Sequence, residues 1–174
     1  MNVAEPAEVF LSYGANLGDR ESALNRALLE TAALPDTKLL VVSSIYETEP
    51  WGYAEQPSFL NCAARISTRM EPARLHRAMA GIEKKMGRKP APRNHPRVID
   101  IDILLYGDRV LELAGLVIPH PAMLKRRFVL APLCEIAPDL THPTAGRSMK
   151  ELLAACADGC AVSIFAAPAS GGPP

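Results

Sequence analysis

Residues 97–107 read Arg-Val-Ile-Asp-Ile-Asp-Ile-Leu-Leu-Tyr-Gly, and the two aspartates inside this apolar run set the reading of the whole chain. Without Asp100 and Asp102 the run is an ordinary buried strand, β-branched and Leu-rich, closed by Gly107. Side chains at i and i+2 of a strand leave the same face, so both carboxylates emerge side by side. Two acids on one face repel, and burying them is costly unless positive charge compensates. Oxygen ligands at this separation suit Mg²⁺, which takes one or two carboxylates together with substrate phosphates. A solvated acidic face on an edge strand is the competing reading, and spacing alone does not separate the two.

The segment just before the strand favours the metal. Between Lys84 and Ile99 stand six basic residues (Lys84, Lys85, Arg88, Lys89, Arg93, Arg97) and no acidic one. Gly87, Pro90, Pro92 and Pro96 punctuate the same stretch and predict a loop. A cationic loop leading into a carboxylate pair fits a Mg²⁺–polyphosphate ligand, with the metal on the aspartates and guanidinium groups on the phosphates. A solvated basic loop, or a nucleic-acid contact, is the plainer alternative.

Around this centre, 174 residues with 48% hydrophobic and 22% charged content make one globular domain with a proper core. The expected extent is residues 1–165, followed by a small, Gly/Pro-rich tail at 166–174 that is expected to be disordered. A formal net charge of zero argues against a dedicated nucleic-acid binder, because the charge is concentrated locally at residues 84–102. Cys156 and Cys160 form a C-x₃-C without a second pair, a weak metal signature, while Cys62 and Cys134 lie in apolar runs and read as small core residues. The polar, acidic start of the chain does not resemble a signal peptide, and no apolar run reaches the ~20 residues of a membrane span. A reduced, cytoplasmic protein is the expectation.

Residues 9–13 form a first apolar strand ending in the turn Gly14-Ala-Asn-Leu-Gly18, and Asp19 can cap the helix that follows. Leu24, Ala27, Leu28 and Ala32 keep helical spacing before Pro35. Residues 39–44 predict a second strand running on toward Thr48, and 49–57 a loop with Pro50, Gly52 and Pro57. The third strand, 59–68, has Phe59, Asn61, Ala63 and Arg65 on one face. Pro72 suits the first turn of a second helix with the stripe Leu75, Met79, Ile82 and Met86, ended by Gly87. The aspartate strand then turns at Gly107-Asp108 into a short partner at 109–113; residues 119–143 look irregular with short helical pieces, and 150–156 predict a last helix. The order βαββαβ predicts an α+β, ferredoxin-like sandwich, an antiparallel sheet with helices on one face and the other face left for loops and ligands.

Several segments in order resemble one family: Gly14-Ala-Asn-Leu-Gly18, Ser43-Ser44-Ile45-Tyr46-Glu47-Thr48 with Pro50, Gln56-Pro57 with Phe59-Leu60-Asn61, and Glu83 with Gly87-Arg88. To these add Pro96-Arg97 with Asp100-Ile-Asp102, Pro119-His120-Pro121, Arg127-Phe128-Val-Leu-Ala-Pro132 and Glu135-Ile-Ala-Pro138. The set, running from about residue 9 to 155, resembles the 6-hydroxymethyl-7,8-dihydropterin pyrophosphokinases of folate biosynthesis. The resemblance implies transfer of an intact pyrophosphoryl group from Mg·ATP to the pterin hydroxymethyl, with release of AMP, by a monomer using two Mg²⁺ ions. It implies that Asp100 and Asp102 hold the metals, that Arg88 and Arg97 act catalytically on the polyphosphate, and that Glu83, Arg88, Arg97, Ile103, His120 and Arg126 bind ATP. A two-metal clamp stabilises charge on both entering and leaving oxygens, leaving the protein mainly positioning and neutralisation.

The same resemblance assigns Thr48, Pro50, Trp51, Phe59, Asn61 and Phe128 to the pterin. A flat heterocycle with an amide-like edge wants aromatic faces and a group that both donates and accepts, which Phe59 and Asn61 supply from one strand face. Core packing is the ordinary role of a phenylalanine, whereas an amide in an apolar strand needs hydrogen-bond partners. His76 and His142 receive no role, and His95 is unassigned. The chain departs from a common family form at Asn94-His95, where Trp-Gly precedes Pro-Arg, and at Gly115, where some members carry a basic residue. Arg93 is the nearest substitute for a second loop arginine, and the loops at 48–57 and 88–96 are expected to close over the substrates. The partners expected are therefore small molecules, with no nucleic acid and no membrane. An RNA-binding module of this topology would carry a basic-Gly-aromatic-Gly-aromatic run, and an ordinary γ-phosphate kinase a Gly-x₄-Gly-Lys-Ser/Thr loop; neither is present.

Overall fold

Two central strands, β1 (Ala7–Ala15) and β4 (Phe59–Thr68), pair antiparallel along their length, and everything that positions the site hangs on this pair. The structure, a computed structural model, describes residues 5–50, 55–90 and 95–168. Between the two strands come α1 (Arg20–Ala32), β2 (Thr37–Val42) and β3 (Ile45–Thr48); after them come α2 (Pro72–Lys85) and β5 (Asp100–Tyr106). A hairpin of β6 (Leu111–Leu113) and β7 (Leu116–Ile118) precedes a 3₁₀ turn at Met123–Lys125, α3 (Arg127–Ile136), α4 (Met149–Ala154) and β8 (Val162–Ala166). The main sheet runs β5-β1-β4-β3-β8, with β2 also on β4, and all its pairings are antiparallel.

Local chemistry fixes the helix ends. Asp19 accepts the Ser22 N–H at 3.0 Å to cap α1, and Pro72 opens α2 where its missing N–H costs nothing. At the other end of α2, Gly87 takes a φ of +91°. Its N–H reaches the Lys84 carbonyl and the Arg88 N–H reaches the Glu83 carbonyl, a Schellman closure that turns Arg88 back beside Glu83.

Helices cover both faces of the sheet, which corrects the expectation of helices on one face. Under α1 and α2 lie Leu11, Tyr13, Leu60, Ile66, Ile101 and Ile103, with Leu24, Leu75 and Met79 from the helices. On the opposite face Phe10, Ala63, Leu104 and Leu105 pack with Val129, Leu130 and Leu133 of α3 and Met149 and Leu152 of α4. Fully burying each such leucine stabilises by roughly 1.5–3 kcal/mol, so this second layer belongs to the domain's stability. A register shift creates room for it: Phe10 faces Leu105 while Leu11 faces Ile103, leaving Leu104 as the bulged residue. Leu104 and Leu105 both enter the second core, and Tyr106 returns to the first.

Three further details differ from the sequence reading. The predicted second strand is two, β2 on one half of β4 and β3 on the other, interrupted at Ser43-Ser44. The segment after Gly107 pairs with β7 and not with the aspartate strand. And β8, which the sequence reading missed, lies along the outer side of β3. All four cysteines are free, and burial pushes the Cys62 thiol up to about 12. Among the described residues no helix is long and apolar enough to cross a membrane.

Candidate active site

The period of two carries Asp100 and Asp102 onto the sheet face away from α1 and α2, beside the α3 layer. Across the strands Asp100 faces Gly14, which faces Asn61, which faces Tyr46. One step along, Asp102 faces Ser12 and Phe59 faces Thr48. Gly14 and Ser12 keep the middle of this floor low. Above it opens a cavity of about 240 Å³. It collects ten of the predicted site residues: Asp100, Asp102, Arg88, Arg97, His120 and Arg126, together with Thr48, Phe59, Asn61 and Phe128.

Charge is paired tightly at one aspartate and loosely at the other. Arg88 Nη1 lies 2.8 Å from Asp100 Oδ1, and Arg97 Nη1 donates to Asp100 Oδ2 at 2.7 Å. Among the described residues the ion-pair neighbour of Asp102 is the more distant His120 Nε2, at 3.9 Å. Burial, and then the charge of Asp100, push the Asp102 carboxyl above the usual carboxylate range. For Arg88 burial opposes the charge, but Asp100 and Glu83 outweigh it and hold the guanidinium protonated. Such a crowd of anionic oxygen invites a cation.

Glu83 stands behind the cavity and not in its lining. Its Oε1 accepts the Ile101 N–H at 2.7 Å and pairs with Arg88, so a buried carboxylate on α2 holds β5 and Arg88 together. Burial raises its pKa against both of those interactions. Ile103 buries its side chain on the α1/α2 side, which leaves only its backbone facing the site. Pro50 follows β3 outside the cavity lining, and Trp51, Arg93 and Asn94 lie outside the described residues.

The Pro-His-Pro segment is tied to the aspartate strand by the His120 N–H, which donates to the Leu104 carbonyl at 2.9 Å. His120 Nδ1 accepts the Ala122 N–H at 3.2 Å, so the neutral ring carries its proton on Nε2, toward Asp102. Arg126 places its guanidinium 5.8 Å from the Phe128 ring centroid, a cation–π contact that holds the aromatic wall. Asn61 Nδ2 donates to Thr48 Oγ1 at 2.7 Å, which fixes the orientation of its amide.

The sequence reading missed Ser12, Gly14, Glu49, Pro121 and Ala122, which also line the cavity. For Ser12 and Gly14 a signal existed: counting by two along the first strand places them on one face. Among the described residues no three or more His, Cys, Asp or Glu side chains gather as a self-sufficient metal cage. A pair of carboxylates is the complement Mg²⁺ uses when phosphates and water complete its shell.

Residues 10–138 match the family model described as 7,8-dihydro-6-hydroxymethylpterin-pyrophosphokinase. The chain is 43% identical over 148 residues to the 2-amino-4-hydroxy-6-hydroxymethyldihydropteridine pyrophosphokinase of Pseudomonas aeruginosa, covering 85% of this chain and 91% of that protein. It is 44% identical over 144 residues to the folic acid synthesis protein fol1 of Schizosaccharomyces pombe, where it spans 83% of this chain but only 20% of that longer protein. A solved Plasmodium falciparum HPPK-DHPS chain shares the fold, with a TM-score of 0.70 at 15% identity over 88% of this chain and 46% of that one.

Proposed function

The chain belongs to the 7,8-dihydro-6-hydroxymethylpterin-pyrophosphokinase family, enzymes that transfer pyrophosphate in folate biosynthesis, and from that premise we propose how this site does so. The reaction moves the pyrophosphoryl group of Mg·ATP to the hydroxymethyl of 6-hydroxymethyl-7,8-dihydropterin and yields AMP and the pterin diphosphate. A bond forms between the hydroxymethyl oxygen and the β-phosphorus as the bond from that phosphorus to the α–β bridging oxygen breaks. The observation that carries this reading is that both half-sites open into one cavity: Asp100, Asp102, Arg88 and Arg97 with Phe59, Asn61 and Phe128.

Asp100 and Asp102 fit Mg²⁺, two ions in this reading, because they share a face and crowd negative charge that only a cation relieves. When bound, the metal neutralises phosphate charge and aligns entering and leaving oxygens. Arg88 and Arg97 each commit one terminal nitrogen to Asp100 and have further N–H groups for a polyphosphate. Glu83 positions Arg88 from behind. His120, with its Nε2 proton, and Arg126 complete the cationic side. Phe59 and Phe128 offer faces to the pterin ring, and Asn61, oriented by Thr48, reads its edge. Pro50 and Trp51 keep the pterin role, and Arg93 the phosphate role, that the family resemblance gives them.

Counting β2 and β3 as one interrupted strand, the order β5-β1-β4-β2/β3 reads as a ferredoxin-like unit with β8 added at its edge. The working unit in this reading is a single cytoplasmic domain acting as a monomer on small molecules. Incubation with Mg·ATP and the hydroxymethyl pterin tests the proposal. Pterin-dependent AMP that disappears in Asp100→Ala and Asp102→Ala supports it. ADP would instead mark a γ-phosphate kinase, and RNA binding without turnover a binding module.

A further inference from the structure

Asn16 is the first residue after β1 and is 1% exposed. Its N–H donates to the Arg97 carbonyl at 3.1 Å, and its Oδ1 accepts the Arg97 N–H at 2.9 Å. Its Nδ2 donates to Gln56 Oε1 at 2.9 Å and to the Pro57 carbonyl at 3.1 Å. One buried residue thus grips both sides of Arg97's backbone and the end of the segment that leads into Phe59. Arg97 holds Asp100, and Phe59 lines the pterin half of the cavity.

We propose that Asn16 is a positioning residue that sets the pterin wall and the phosphate-side arginine relative to one another. The inference rests on the functional reading above. Its two functional ends serve two substrates: Oδ1 and the main chain fix Arg97, while Nδ2 fixes residues 56–57. A neighbouring tie strengthens the pterin end, because Arg20 Nη1 donates to the Ser58 carbonyl and to Glu47 Oε1, each at 2.9 Å. Residues 56–58 are therefore held from two directions at the entry to β4, and only Asn16 among these groups also reaches Arg97. A buried amide kept merely for folding would not divide its bonds in this way between the two halves of a substrate cavity.

The division makes the test. Asn16→Asp keeps the Oδ1 acceptor for Arg97, and Gln56 can flip its amide to meet the new carboxylate, but the Pro57 carbonyl loses its donor and faces negative charge. Asn16→Ala removes both arms. Steady-state AMP formation is expected to show Asn16→Asp with a pterin KM raised about tenfold and kcat and the Mg·ATP KM changed by less than about threefold, the effect of losing one or two hydrogen bonds. Asn16→Ala should raise the pterin KM and also lower kcat, by about tenfold each. Gln56→Ala should raise the pterin KM without lowering kcat. Should either Asn16 variant fail to melt cooperatively, Gln56→Ala carries the pterin arm of the test. Variants that shift both KM values and kcat alike, or shift none, overturn the proposal while leaving an active wild type in place. A wild type without pterin-dependent AMP overturns the functional reading itself, and this assignment with it.

Discussion

Gly14 and Asn61 face each other across the β1–β4 pair so closely that a Cβ on Gly14 would stand 2.8 Å from Asn61 Oδ1. No real Cβ sits at that distance from a fixed oxygen, and Asn61 cannot swing freely because Thr48 holds its Nδ2. The absent side chain is therefore a requirement of the amide proposed to read the pterin edge. Gly14→Ala is expected to displace Asn61 and raise the pterin KM about tenfold or more while the Mg·ATP KM moves less than about twofold, which is the loss expected for one well-placed hydrogen bond. Substrate-by-substrate kinetics check it; equal effects on both KM values would mean that the whole floor had shifted.

Asp102 illustrates a conflict between stability and function. Burial and the Asp100 charge both oppose its ionised form, and His120 and Arg126 only partly offset them. Asp102→Asn keeps the shape and deletes the repelled charge. Pyrophosphoryl transfer should fall by about 10²–10³ on loss of the proposed metal ligand, while the metal-free variant melts higher than wild type. A gain of about 1 kcal/mol corresponds to roughly 2–4 °C in a domain of this size. Kinetics, with melting in the presence of a chelator, test both halves. A lower melting point would show that His120 and Arg126 hold the charge more firmly than burial and Asp100 oppose it.

The acid limb of stability should carry the signature of His142. This side chain is buried, and its Nδ1 accepts the Ala145 N–H at 3.1 Å and the Thr144 N–H at 3.3 Å. Burial lowers its pKa below the ordinary 6.5. A histidine depressed in the folded state stabilises the fold above the unfolded pKa, and that contribution is lost as pH falls from about 6.5 toward the folded value. His142→Asn keeps an acceptor for the two N–H groups through its Oδ1 but does not titrate. The melting-point difference, wild type minus His142→Asn, should be constant above about pH 7.5 and become more negative between about pH 6.5 and 5. A difference that stays flat across that range would remove His142 from acid unfolding.

The part of the site that obeys strict periodicity was legible. Asp100 and Asp102 share a face because a strand alternates, and Asn61 and Phe59 do so on β4 for the same reason. Asp19, Pro72 and Gly87 announced the helix ends by their own backbone chemistry. What failed depended on distant partners. The bulge at Leu104 breaks alternation only because β1 and β5 differ in register, which no local pattern shows. Residues 119–143 offered only short helical pieces, although α3 supplies the second core, because Pro132 lies inside that helix and masks its full extent. The link between Ser43–Tyr46 and Glu135 was visible only as resemblance. Its physical content is that Glu135 Oε1 accepts the Ser44 N–H at 2.9 Å and Oε2 the Tyr46 hydroxyl at 2.7 Å, clamping β3 to α3. The contacts of Glu83, singled out by the same resemblance, were likewise not legible: its carboxylate stands behind Arg88 and accepts the Ile101 N–H.

β8 yields the last prediction, since it stands against the strand that ends at Thr48 without itself lining the cavity among the described residues. Val162 pairs with Thr48 and Ile164 with Tyr46, and just beyond, the Glu49 N–H donates to the Ala161 carbonyl while Glu49 Oε2 accepts the Ala161 N–H. Glu49 lines the cavity, so β8 holds one rim of the proposed pterin half from outside. Its own apolar contribution is small, because Ile164 is 64% and Phe165 46% exposed. The connection before β8 is anchored separately, with Asp158 Oδ2 accepting the Arg127 N–H and the Asp158 carbonyl accepting Arg127 Nε. A chain ending at Gly159 therefore keeps the α3 anchor and loses only the strand. Its melting point should drop by a few degrees, on the order of 1 kcal/mol. The pterin KM should rise about three- to tenfold as β3 becomes a frayed edge, with little change in the Mg·ATP KM. Amide exchange would locate the cause: faster exchange at Glu47 and Glu49, whose N–H groups face β8, with Asp102 unaffected is the expected pattern, and unchanged exchange together with an unchanged pterin KM would reduce β8 to a simple edge cover.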